Sequence, residues 1–417
     1  MQPTLHHHHS KLLPRLGWLI AGLFVLFQVL LQTSTSIMIT DLEKAFSINV
    51  MGVSLLSSSF FYTYLFLQIP AGIAVDRFGA KAMLTVCLLL AALSCILFAS
   101  AKIISIAVTS RILLGLASAP AVVATLYLAA RWFPSRYFAL LAGLVEMLAM
   151  LGGVAGEILM ARCVNEYGWR ATLSGCGVLA ILMAILAWLL VRDCPDPTAE
   201  ATSTKFPIET SWQSLMAVVQ SPQAWVNGIF CGLIFAILAS FAGFWCVPYL
   251  MQRYGISLNS AADASAVIFL GAAIGAPSLG WLSDRIGQYR SLMITAAGVM
   301  LATLVTILLV RFIPLRGMFI LLFILGFGSG SYVLPFAVMR DINPIQRRGT
   351  AMGYTNLMCL LIGSPILQPC IGWILSRQQQ TISGQYSLIA YEHALLLLPI
   401  CLSISLMIAF FVREETI

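Results

Sequence analysis

Long apolar runs broken by short polar turns fill almost the whole chain. A membrane-crossing helix needs about 20 apolar residues. Runs of that length fall at roughly 16–39, 52–75, 81–100, 103–130, 138–161 and 170–191. A second set falls at roughly 222–248, 261–283, 290–310, 317–339, 350–374 and 389–412. The pattern predicts an all-α membrane protein of twelve transmembrane helices in two pseudo-symmetric six-helix bundles. The longest polar stretch, 192–214, is rich in Pro, Ser and Thr and reads as a flexible linker, with a short surface helix expected near Ser211 to Val219. The predicted organisation is thus a tail at 1–15, a first bundle at 16–191, a linker at 192–221, a second bundle at 222–412 and a tail at 413–417.

The two sets repeat one another. GIAVDRFGAK carries Gly72, Asp76, Arg77, Gly79 and Lys81, and GWLSDRIGQYR carries Gly280, Asp284, Arg285 and Gly287 at the same spacing, 208 residues on. Each stretch reads as a helix end, a charged turn and a new helix. Arg77 lies where a helix C-terminus carries partial negative charge, and Gly79 allows the backbone to reverse. A second echo places Gly143 nine residues after Pro134, and Gly353 nine after Pro344.

The G-x-x-x-D-R-x-G turn between the second and third spans, repeated between the eighth and ninth, resembles the signature loop of the major facilitator superfamily. Ala80 stands where that family often has another basic residue. The resemblance implies parallel halves around a cavity near mid-membrane. It also implies that the loop acid latches cytoplasmic helix ends in one access state. RWFPSRYFALLAGL further resembles the connection between the fourth and fifth spans in the branch that moves organic anions with a cation. Arg111 and Gly115 resemble the family's fourth-span motif, whose arginine is tied to proton coupling or substrate charge.

Composition and charge set the compartment. Hydrophobic residues make up 60% of the chain and charged ones 9%, which requires a bilayer as solvent. The formal charge of +7 reads as loop charge rather than a nucleic-acid footprint. Fourteen Lys and Arg fall on the side of the termini and eight on the other, so both termini are expected in the cytoplasm. The run after KLLPR is too long for a cleavable signal and is expected to be the first span. Short loops and the absence of an N-x-[ST] sequon favour a bacterial inner membrane. Ten scattered cysteines with no C-x-x-C pair suggest neither a disulfide framework nor a zinc site. His6, His7, His8 and His9 read as a tail or tag remnant, since nothing nearby completes a coordination shell. No metal or cofactor is expected.

Candidate chemistry lies where polar side chains interrupt the spans. Arg111 sits well inside the fourth span, where a cation needs a partner or water. Its alternatives are a functional cation, an arginine snorkelling outward, or a structural pair with Glu157. Glu146 lies near mid-membrane on the fifth span, a depth suited to reversible protonation. Gln28 and Gln32 share a face of the first span and could line a polar cavity with Tyr62 and Tyr64. In the second half Asn227, Phe244 and Trp245, Tyr332, Tyr354 and Asn356 are candidates, each weighed against simple packing. Gly152, Gly153 and Gly156 read as a close-packing stripe, and Asp263, Glu392 and His393 as solvated caps.

The expected activity is secondary active transport of a small polar or anionic organic solute, proton-coupled, by alternating access and as a monomer. Proton-antiporting efflux and a non-transporting receptor are the alternatives. No G-x-x-x-x-G-K-[ST], H-E-x-x-H or G-x-S-x-G occurs, which disfavours an ATPase or a membrane enzyme.

Overall fold

The computed structural model describes residues 12–133, 138–193, 215–344, 348–378 and 386–413. The histidine tract, the linker from 194 to 214 and residues 134–137 of the anion-branch stretch lie outside them. Of the short helix expected before the seventh span, residues 215–219 are described and are helical.

Among the described residues eleven helices are long and apolar enough to cross a membrane, and twelve if one pair bent by 107° counts as a span. That pair joins Ile39–Phe46 to Val50–Phe66. The second span also runs on beyond Phe66. Leu67 N–H bonds Thr63 O at 3.1 Å, and Ala71 N–H bonds Leu67 O at 2.8 Å. Helix then continues as Gln68–Ser100, interrupted at Gly79, so this one element holds the end of the second span and all of the third.

The chain divides into two compact units, Met1–Gln32 with Ser59–Thr204, and Thr33–Ser58 with Lys205–Ile417. Run lengths alone assign Thr33–Ser58 to the first bundle. Its grouping with the second unit has a physical cause in its hydroxyls. Ser34, Thr35, Ser36, Ser54, Ser57 and Ser58 are all buried, and buried hydroxyls need partners. Thr35 and Ser57 hydrogen-bond each other at 2.9 Å. Ser58 donates to Gln368 Oε1 at 3.3 Å on the eleventh span. The 3₁₀ turn Ser34–Ser36 packs on Ile237–Trp245 of the seventh span.

In the first unit the third span lies along the sixth, Trp169–Leu190. A Cβ on Gly177 would stand 2.9 Å from Ile96. The first span, Leu12–Thr33, meets the fifth, Phe138–Tyr167, at Gly152, where an added Cβ would strike the backbone oxygen of Leu26. Only a residue without a side chain lets two helix backbones come so close. The fourth span is two helices, Ile104–Ser118 and Pro120–Trp132. Pro120 lacks an N–H to continue the ladder and opens the second piece.

In the second unit the eighth span, Leu258–Ile286, packs on the tenth, Leu315–Ser329, through Gly271, Gly275 and Gly326. The seventh span carries a π segment, Ile237–Trp245, between Pro222–Ala236 and Cys246–Tyr254. The eleventh carries another, Ile362–Ile366, between Arg348–Leu361 and Leu367–Ser376. The segments are stitched together: Ser240 donates to Gly363 O at 2.5 Å, and Gln368 Nε2 to Ala239 O at 2.7 Å. Carbonyls released from the α ladder are thereby satisfied by side chains.

The duplicated turns differ in detail. Gly79 has φ 80 and ψ 161, a region open essentially to glycine alone. Gly287 has φ 70 and ψ 21 and closes its helix with an N–H to Ser283 O bond of 2.8 Å. Only the first turn is covered. Asp193, just past the sixth span, accepts from the Lys81 N–H at 3.1 Å, and its Oδ2 would lie 2.6 Å from a Cβ at Gly79. Such a carboxylate at a helix N-terminus satisfies a free donor and opposes the helix dipole. Lys81 extends its ammonium over Trp188 at 4.3 Å. Gly72 and Gly280 have open space where a Cβ would stand. The side chains of Asp76 and Asp284 lie outside what the structure describes.

Candidate solute-binding site

The first unit brings together polar side chains from three spans. Tyr64 and Gln68, four residues apart, share a face of the second span. The Tyr64 hydroxyl lies between the side-chain amides of Gln68 and Gln28, and within electrostatic reach of Glu146 on the fifth span. Gln28 is 4% exposed. Among the described residues, nothing hydrogen-bonds its Oε1 or the buried Nε2 of Gln68. One acceptor and one donor thus flank a phenol that can play either part. Glu146 is exposed rather than packed into the helix interface. A carboxyl at that depth belongs on a water-filled or protein-lined surface rather than against lipid, and the Tyr64 hydroxyl marks which side that surface is on.

Of the residues that pattern singled out here, Gln28, Tyr64 and Glu146 are gathered. Tyr62 is 48% exposed, two positions from Tyr64 and so on another face of the helix. The backbone of Gln32, rather than its amide, has a described partner: its carbonyl accepts from Arg111 Nη2 at 3.4 Å. Sequence reasoning missed Gln68. Its spacing of four from Tyr64 was a usable signal.

Arg111 is 3% exposed and points at the end of the first span. Its Nη1 donates to Leu31 O at 3.1 Å, and its guanidinium lies over the Phe60 ring at 5.4 Å. The carbonyls it meets are where α-helix passes into the 3₁₀ turn Ser34–Ser36. Two other arginines act alike: Arg170 donates to Ala99 O and Ala101 O at 2.7 and 2.8 Å, and Arg253 to Ile307 O at 2.6 Å. Capping carbonyls at span ends is thus a recurrent arginine task in this chain. Glu157 is fully buried on the fifth span.

In the second unit Asn227 is fully buried and donates from Nδ2 to Gln223 O at 2.9 Å. Trp245 is fully buried with its ring edge-on to Phe244 at 4.7 Å. Tyr332 packs edge-on to Phe235 at 5.4 Å, and Tyr354 to Trp225 at 5.8 Å. Asn356 is half-buried near Tyr354 on the eleventh span. These side chains are distributed along the unit and do not gather into one polar cluster as the first-unit group does. Among the described residues no three His, Cys, Asp or Glu are grouped to hold a metal ion.

The family model of the Major Facilitator Superfamily matches residues 20–367. The "Probable galactarate/D-glucarate transporter GudP" of Escherichia coli (strain K12) is 24% identical over 394 residues, covering 86% of each chain. The "Hexuronate transporter" of Bacillus subtilis (strain 168) is 21% identical over 374 residues, again covering 86% of each. The fold is similar to the crystal structure of a bacterial homolog to the human lysosomal transporter Spinster, in an inward-facing and unoccupied conformation. The TM-score is 0.79 at 17% identity, over 97% of each chain. Twelve apolar spans, a duplicated acidic turn and a family match over most of the length lead to one assignment: the chain is a member of the Major Facilitator Superfamily, a multi-pass membrane transport protein and not an enzyme.

Proposed function

We propose that this protein is a secondary active transporter that moves a small organic anion across a bacterial inner membrane by alternating access, in symport with a proton carried by Glu146. Both termini are cytoplasmic in this reading, from the distribution of Lys and Arg, and the working unit is a monomer. The observation that carries the proposal is the meeting of Glu146 with the Gln28–Tyr64–Gln68 group. A carboxyl beside hydrogen-bonding groups at membrane depth can gain and lose a proton as its surroundings change. The printed names of the relatives support an anion: galactarate, D-glucarate and hexuronate are all carboxylates. Arg111 holds the end of the first span and leaves positive charge behind it, a bias toward anionic solutes.

The test uses purified protein in proteoliposomes with D-glucarate as probe. Glu146→Gln fixes the neutral form of the side chain. Exchange of labelled for unlabelled D-glucarate should persist, because exchange does not require the proton to leave. Accumulation driven by an imposed proton gradient should be lost. A Glu146→Gln protein that still accumulates solute against its gradient would remove Glu146 as the carrier.

A further inference from the structure

We infer that Gln28 and Gln68, on either side of the Tyr64 hydroxyl, form a subsite that reads a hydroxyl group of the transported acid. The inference rests on the organic-anion reading above and assigns the part of it that charge cannot explain. A carboxylate calls for cations or a carrier proton, whereas two primary amides and a phenol are neutral. Their use is to recognise a neutral polar group.

The geometry favours a hydroxyl. A hydroxyl donates one hydrogen bond and accepts others. Gln28 Oε1 is an acceptor and Gln68 Nε2 a donor, and among the described residues neither has a hydrogen-bond partner. Burying such atoms unsatisfied costs roughly 1–3 kcal/mol each, so the pocket stands at a disadvantage until something supplies both halves of the match. The Gln28 side chain is 4% exposed, on the first span. Gln68 approaches from the second span, and Tyr64 between them completes the row. An amide can turn over and exchange its oxygen and nitrogen, and the pair then still offers one acceptor and one donor. A keto group could use only the donor, and a methylene neither. The ligand class is therefore a hydroxy- or polyhydroxy-carboxylate, with Glu146 close enough for one bound molecule to meet both the hydroxyl-reading group and the proton carrier.

The experiment compares D-glucarate with adipate, which has the same six-carbon chain and both carboxylates but no hydroxyls. Equilibrium binding of each labelled acid is measured on the purified full-length protein. A site built around a hydroxyl rejects the analogue that lacks it, because its own polar groups are then left unpaired. The parent should bind D-glucarate at least about tenfold more tightly than adipate. Gln28→Leu and Gln68→Leu should each bring that ratio towards one, weakening D-glucarate while leaving adipate affinity unchanged. Tyr64→Phe should lower the ratio part of the way. If a leucine variant does not yield monodisperse protein, Gln68→Asn retains the amide but withdraws it by one methylene, and it too must lower the ratio. Variants that keep the parental ratio, or lose both acids equally, would overturn the subsite and leave the anion reading standing. A parent that binds neither acid would overturn the anion reading, and the subsite with it.

Discussion

Arg111 Nη1 donates to the carbonyl oxygen of Leu31 across 3.1 Å, joining the fourth span to the end of the first. The guanidinium reaches Gln32 O with its second terminal nitrogen at 3.4 Å. A planar fork can serve two carbonyls at once, which a lysine ammonium does less well. Arg111→Ala should therefore destabilise the protein by about 1–3 kcal/mol, the cost of stranding buried acceptors. Arg111→Lys should recover less than half of that. Thermal unfolding in detergent reads the effect without any solute. If melting is unchanged while D-glucarate binding disappears, the side chain serves the solute rather than the helix end.

Gly79 and Gly287 occupy matching places in the repeat but should respond differently to substitution. At φ 70 and ψ 21, Gly287 is in the left-handed helical region that asparagine tolerates, with open space around it. Gly79, at φ 80 and ψ 161, has no such substitute and would also strike Asp193. Gly287→Asn should cost under about 1 kcal/mol, whereas Gly79→Asn should cost about 1–3 kcal/mol. Asp193→Ala on top of Gly79→Ala should relieve only the steric part. Melting temperatures of the four variants check the order.

Asp76→Asn should slow D-glucarate exchange in proteoliposomes while leaving equilibrium binding within about twofold, a shift under half a kcal/mol. The reason is the latching role that its family motif implies. Asp284→Asn should slow exchange less, because Asp193 closes over the first turn and no corresponding acid is described at the second. Equal slowing by both would argue that the two halves share the gating step evenly.

Much of the architecture was written in run lengths and turn chemistry. Apolar stretches gave the spans, since a bilayer fixes the length of a helix that must cross it. The turns at Gly79 and Gly287 followed from glycine's freedom at positive φ. What run lengths could not convey was allegiance: Thr33–Ser58 is apolar enough for the first bundle, yet its hydroxyls find partners such as Gln368 and Ala239's neighbours in the second unit. The partners of Arg111 were illegible for a related reason. They are main-chain carbonyls, which every residue has, so no spacing of side chains announces them. Glu146, Gln28 and Tyr64 were visible as polar interruptions of apolar helices. Gln68 was hidden because it falls near a predicted span end, where polar residues attract no notice. Pro365, inside the eleventh span, was the one advance sign of irregular backbone there.

The π segment Ile237–Trp245 makes the seventh span sensitive to chain length in a way that ordinary helices are not. A π turn accommodates an additional residue without lengthening the span in proportion. Deleting one residue within it could restore an α ladder at little cost in reach. Everything beyond would nevertheless change phase, by about 100° around the helix axis. Tyr249 and Arg253, which both donate to Ile307 O, would turn away from the ninth span together. A one-residue deletion there is thus an angular mutation, whereas the same deletion in an outer loop only shortens a tether.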